Sequence, residues 1–288
     1  MAYQCPLLPK YGLPVTCYPA NAQLKWLSTD TRENYLKNGG HPVYREDDID
    51  YSFNACGYRC PNFEPTSALK LVAIGCSHVM GVGLPSESLF HEIFAERLRS
   101  VFSRNVIVWN IAVPGAANDY IARMLHLAVP YLDPHIVLVN FTHTDRREYL
   151  SIQGVWMPYC PGYTPPDMVG REIKRHFDSL TSQYDDDLNL FRNYKSIESL
   201  LADRCWLFST TSHPQTTGDP FDRDFARMKD HVDLARYAGS LDRIDFARDW
   251  SHFGPMSHKT LADCYWSCFC ARQRLHNSLE SKLFTQPT

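Results

Sequence analysis

Ser77 follows the tight pair Gly75-Cys76, and near the far end of the chain Asp249-Trp250-Ser251-His252 sets a carboxylate and an imidazole three residues apart. A serine hydroxyl is a poor nucleophile until an imidazole takes its proton, and the imidazole works best when a carboxylate fixes its tautomer. Ser77 as nucleophile, His252 as base and Asp249 as its orienting group therefore supply the parts for acyl transfer. The glycine beside Ser77 permits a close turn, and backbone N–H groups there can meet a developing oxyanion.

Rival chemistries have weaker support. A Cys76 thiolate is intrinsically the better nucleophile and His78 stands two residues on, but residues so spaced do not face each other, and the strand pattern turns Cys76 into the core. Gly81-Val82-Gly83 lacks the third glycine and acidic partner of a dinucleotide loop. A His252–His258 pair lacks a third metal ligand. Cys56 with Cys60, and Cys264 with Cys268 and Cys270, have thiol spacing, yet the second cluster lies in an apolar run where cysteine acts as a small hydrophobe. Buried free thiols are expected, with no metal and no cofactor.

These groups need a scaffold. Leu69 to Ile74 is a continuous apolar run, the pattern of a strand buried on both faces. An amphipathic helix over 86–102 and a strand over 106–111 follow. Next come a helix from Asn118 to about Ala128 and a strand from His135 to Phe141. After the break at 151–195 the alternation resumes with a helix near 196–202, a strand over 205–209, a helix over 222–237, a strand over 243–247 and a long helix from about Ser257. The pattern predicts a three-layer α/β/α sandwich with a five-stranded parallel sheet. Residues 1–67 read as an irregular N-terminal arm packed on the main domain, 68–288. The loop-rich stretch 151–195 reads as an insertion or lid. In such sheets reacting groups gather at the carboxyl ends of the strands, where Ser77, Asn110 to Gly115, Asn140 to Asp145 and Asp249 to His252 all fall.

At those ends the residues resemble the SGNH (GDSL-type) hydrolases. Gly75-Cys76-Ser77 is similar to that family's first block, Asn110-x-Ala-x-x-Gly115 to its second, and Asp249-Trp-Ser-His252 matches its last. The segment Tyr51 to Arg59 also looks like one that precedes the catalytic domain in some bacterial and viral members. The resemblance covers about residues 69–265 and implies a serine esterase working through an acyl-enzyme, on a small acyl, possibly acetyl, ester of a saccharide or other alcohol. An acyltransferase, a thioesterase or an inactive binding module with the same residues are the alternatives. It also implies an oxyanion hole from the Ser77 and Gly115 N–H groups. Two positions depart from the family: Cys76 stands for an Asp, and Asn140-Phe-Thr142-His143-Thr-Asp145 replaces the block that supplies an Asn donor. His143, closest in reach to that Asn, is expected to take the role, with Thr142 as the alternative. Asn140 and Arg146 are candidate substrate contacts.

Composition limits the partners. In 288 residues, 29 Lys and Arg against 32 Asp and Glu give a net charge of −3, with neither sign collected in a block. That argues against nucleic-acid binding through a basic face. No run reaches the ~18–20 apolar residues of a membrane span, and the opening residues do not read as a signal or transit peptide, so a cytoplasmic protein is expected.

Overall fold

The computed structural model describes residues 18–150, 156–161, 168–211 and 228–275. In chain order its elements are β1 (Gln23–Leu24), α1 (Arg32–Lys37), β2 (Tyr51–Ser52), β3 (Leu69–Ile74), α2 (Ser77–Met80), α3 (Phe90–Phe102), β4 (Val106–Asn110), α4 (Asn118–Leu132) and β5 (Ile136–Phe141). There follow β6 (Arg147–Leu150), β7 (Trp156–Tyr159), α5 (Met168–Leu180), α6 (Gln183–Leu200), β8 (Cys205–Thr211), β9 (Tyr237–Leu241) and α7 (Pro255–Leu275).

Strands β4-β3-β5-β8-β9 form one five-stranded sheet, parallel throughout, as the sequence predicts. Side chains alternate between two cores, as a period of two requires. Val72, Ile74, Val137, Val139, Trp206 and Phe208 pack with α4 and α6, whereas Leu71, Ala73, Ile136, Leu138 and Leu207 pack with α3 and α7. From β3 the chain crosses outward to β4 and then back over β3 to β5, so the carboxyl end of β3 is the switch point of the sheet.

Three expectations need correction. The stretch 151–195 is not loop-rich in its described part: β7 pairs antiparallel with β6, and α5 and α6 take up 168–180 and 183–200. Ser182 caps α6 by accepting from the Asp185 amide, and Asp185 and Asp186 lie in its first turn, where the helix dipole favours acidic side chains. The helix expected over 222–237 lies partly outside the described residues, and from 228 onward the chain makes only two 3₁₀ turns. The fifth strand is Tyr237–Leu241, and 243–247 is a loop held by a Phe246–Phe253 bridge. Cysteine also differs: Cys56 is disulfide-bonded, whereas Cys60, Cys76, Cys160, Cys205, Cys264, Cys268 and Cys270 are free.

The segment before β3 is fastened to the sheet by buried charge. Arg248 is fully buried, and its Nη2 and Nε donate to Asp30 Oδ2 and Oδ1 at 2.6 and 3.0 Å. Its remaining N–H groups reach the carbonyls of Lys25 at 2.7 Å and Glu46 at 2.8 Å, and its guanidinium lies 4.1 Å from the centre of the Trp26 ring. The Tyr51 hydroxyl donates to Asp30 Oδ2 and accepts from the Gly83 amide at 2.8 Å. Gly83 has φ +76°, and a Cβ there would lie 2.8 Å from Ala247 Cβ and 3.2 Å from the Asp249 amide, so only glycine lets the two loops meet.

A charge left without its partner in such a site is costly. Asp30→Ala should lower unfolding stability by about 3–5 kcal/mol, measured as a shifted urea midpoint. The double variant Asp30→Leu with Arg248→Met should recover much of that loss. A single variant as stable as the wild type would show that the pair holds nothing together.

Candidate active site

Ser77 is the first residue of α2, which opens directly after β3 and the Gly75-Cys76 turn. A Cβ on Gly75 would run into Val79 Cγ2 and lie 3.0 Å from the Asn140 carbonyl, so the close turn needs glycine. The first-turn N–H groups of a helix have no intrahelical acceptor, which leaves the Ser77 amide suited to an external oxygen. Asn110, at the end of β4, donates to the Val79 carbonyl at 2.9 Å and ties α2 to the neighbouring strand. From the other side Arg59 is buried and donates to the carbonyls of Gly81 at 2.6 Å and Leu84 at 2.8 Å.

The structure brings Ser77, His252 and Asp249 together. His252 Nε2 lies 2.8 Å from Ser77 Oγ, and His252 Nδ1 lies 2.6 Å from Asp249 Oδ2. Asp249 Oδ1 accepts from the amides of Ser251 and His252 at 3.0 and 2.9 Å, so the carboxylate shapes the turn that carries its own partner. Burial works to raise the Asp249 carboxyl, but hydrogen bonds from His252 and Thr29 outweigh it and hold the group below the usual carboxylate range. With Asp249 ionised, His252 Nδ1 carries the proton and Nε2 faces the Ser77 hydroxyl as an acceptor.

Trp250, inside this turn, adopts φ +57°, a left-handed conformation costing of order 1–3 kcal/mol for a residue other than glycine. Its indole N–H donates to the Gly40 carbonyl at 2.9 Å and its ring packs on His41 at 5.1 Å. The segment before β3 thus holds the turn in its strained form.

The remaining sequence candidates lie at neighbouring strand ends. Gly115 occupies the turn after β4 with φ +73°. Thr142 follows β5 and is buried; Asn118 donates to its carbonyl at 3.1 Å and accepts from its amide at 2.9 Å. Arg146 Nη1 donates to Thr142 Oγ1 at 3.1 Å. His143 is half-buried, and its field acts on His78.

Asn140 is a correction. It is fully buried in β5, with Nδ2 donating to Ser209 Oγ at 2.8 Å and Oδ1 accepting from Thr211 Oγ1 at 2.7 Å. Its amide is spent on β8 and is not offered to a substrate. Beside Arg146, Arg147 pairs with Asp186 at 2.5 Å, and Glu148 pairs with Arg123 at 2.6 Å.

Sequence reasoning missed Thr29 and the clamp of Asn118 around the array, and considered His78 only beside Cys76. Thr29 Oγ1 donates to Asp249 Oδ2 at 2.5 Å. Asn118 clamps Thr142 as described. His78 packs edge-on against His252 with ring centres 4.8 Å apart; burial first, then the fields of His252 and His258, holds it well below the usual imidazole range. His78 has a sequence signal in its position beside Ser77. Thr29 has none, because it lies in a stretch without periodicity.

No protein-family model matches the chain, and no curated protein matches it. Among solved structures, similar chains include the psychrotrophic esterase EstA from Pseudoalteromonas sp., at 12% identity and TM-score 0.42 over 72% of this chain and 99% of that one. TesA is similar at 12% identity and TM-score 0.45 over 69% of this chain and 97% of that one. An acetyl-xylooligosaccharide esterase from Geobacillus Stearmophilus is similar at 12% identity and TM-score 0.41 over 72% of this chain and 95% of that one.

Proposed function

We propose that the chain is a serine ester hydrolase of the SGNH type. The observation that carries this reading is the continuous hydrogen-bonded array from Ser77 Oγ through His252 to Asp249, with contacts of 2.8 and 2.6 Å, at the switch point of a parallel sheet. Ser77 attacks the acyl carbonyl while His252 Nε2 takes its proton. The tetrahedral intermediate collapses as His252 gives that proton to the departing alcohol, leaving an acyl-Ser77. Water repeats the sequence in reverse, His252 again serving as base, and the carboxylic acid leaves.

The oxyanion is held by the amides of Ser77 and Gly115 and by His143. His143 is favoured over Thr142 because its reach is closer to that of the family's Asn and it is half-buried at the same strand end; the Thr142 hydroxyl accepts from Arg146 and keeps its own proton to donate, which makes Thr142 the alternative. A neutral imidazole donates one hydrogen bond without adding charge. Arg146 is a candidate contact for the alcohol portion or an anionic group of the substrate. A short acyl group is favoured because Ser77 is only 8% exposed and His252 only 9%, which leaves little open surface at the reacting atoms. A small saccharide ester, such as an acetylated sugar, fits both conditions.

Ester hydrolysis tests the reading. On p-nitrophenyl esters, kcat/KM should be highest for acetate and fall as the acyl chain lengthens. Ser77→Ala should lower kcat by about 10³-fold or more while leaving the urea midpoint near the wild-type value, and His252→Ala should be nearly as severe. Asp249→Asn should be milder, and Cys76→Ala should retain most activity. Activity surviving in Ser77→Ala but lost in Cys76→Ala would move the nucleophile to the thiol. Acyl transfer to an added sugar with negligible hydrolysis would make the chain an acyltransferase instead.

The third oxyanion donor is separable by the same assay. His143→Ala should lower kcat by about 10²-fold with little change in KM, the mark of a contact made only in the transition state. An unchanged kcat in His143→Ala together with a large drop in Thr142→Val would reassign the role to Thr142.

A further inference from the structure

Two adjacent residues before the main sheet contact two adjacent residues near the end of the chain. Thr29 meets Asp249 at 2.5 Å and Asp30 meets Arg248 at 2.6 Å, across more than 200 residues of sequence. The Thr29 hydroxyl donates to Asp249 Oδ2, the oxygen that also holds His252 Nδ1, and lies 3.3 Å from that nitrogen. We infer that Thr29 is a positioning residue for Asp249, so that the segment before β3 contributes a fourth member to the Ser77–His252–Asp249 array.

The placement of Thr29 is not left to a free loop. Leu27 and Asp30 exchange backbone hydrogen bonds at 2.8 and 2.9 Å, closing a tight turn around Ser28 and Thr29. The Thr29 carbonyl accepts from Asn34 Nδ2 at 2.7 Å, and Thr31 caps α1 by accepting from the Asn34 amide at 3.1 Å. The Asp30–Arg248 pair then sets this turn against the one that carries Asp249. Held in this way, the hydroxyl limits Asp249 Oδ2 to one orientation and shares its negative charge between two donors. His252 consequently faces a weaker but better aimed carboxylate than it would alone.

Thr29→Val is the informative change, because Thr29 is exposed and water can replace a hydroxyl lost to alanine, whereas the isosteric methyl keeps that volume dry. The other groups around the array are Arg248, paired with Asp30, Arg146 and His143 at the end of β5, and the imidazoles of His41, His78 and His258, which burial holds below their ordinary range; Thr29→Val leaves all of them in place.

The activity part of this inference rests on the hydrolase reading, so the test has two readouts. In Thr29→Val the acid limb of the kcat/KM profile should move to higher pH, since an unshared carboxylate favours the protonated imidazole, and kcat/KM at neutral pH should fall about tenfold. The downfield proton resonance of the His252–Asp249 hydrogen bond, identified by its loss in His252→Ala, should move in Thr29→Val. It should stay at the wild-type position in Thr29→Ser, which should also regain the rate. A resonance and an acid limb that stay at their wild-type positions in Thr29→Val would overturn the inference. Hydrolysis that proves independent of Ser77, or no hydrolysis at all, while Thr29→Val still moves the resonance would remove the serine hydrolase reading and leave the positioning role standing.

Discussion

A guanidinium with no exposed surface must find its counter-charge inside the protein, and Arg248 finds it in Asp30. The cost of removing both ions from water is recovered only if every remaining donor and acceptor is met. Here the Lys25 and Glu46 carbonyls, the Tyr51 hydroxyl and the face of Trp26 meet them. The geometry of the reacting groups depends on this bond. Arg248 is the residue before Asp249, its amide donates to the Gly83 carbonyl at 2.9 Å, and Gly83 is three residues beyond the helix that begins with Ser77. One buried pair thus fixes the nucleophile side, the carboxylate side and the segment before β3 with respect to one another.

Electrostatics around the array follow the same economy. Asp249 keeps its charge because hydrogen-bond donors surround it, while burial works against protonation of the His78 and His258 imidazoles. Within the sheet Asn140, Ser209 and Thr211 satisfy one another, and Tyr265 of α7 joins them, its hydroxyl 2.8 Å from both Ser209 Oγ and the Val139 carbonyl. That network commits the polar groups of the central strands to rigidity.

The sheet was legible because its strands are buried on both faces and read as unbroken apolar runs, from LKLVAI in β3 to IVLVNF in β5. Ser77, Asp249 and His252 could be found because their types and spacing carry the chemistry without reference to contacts. The stretch around α5 and α6 was misread because aromatic and acidic residues there suggested loops, although capping by Ser182 and the dipole at the start of α6 account for the acidic run. Asn140 was misassigned because a polar residue at a strand end looks available until its partners on the next strand are known. Thr29 and Asp30 were not legible at all: their partners are more than 200 residues away, and nothing local marks a threonine as the neighbour of a distant carboxylate.

The central claim is that Ser77 is the nucleophile of this array. Treatment of the whole chain with a fluorophosphonate, followed by mass spectrometry of the intact protein and its peptides, addresses it most directly. A single phosphonyl adduct on the peptide containing Ser77, absent from the Ser77→Ala and His252→Ala variants, is the result the account predicts. An adduct that persists in Ser77→Ala, or an unmodified Ser77 peptide under conditions that label other serine hydrolases fully, would contradict it.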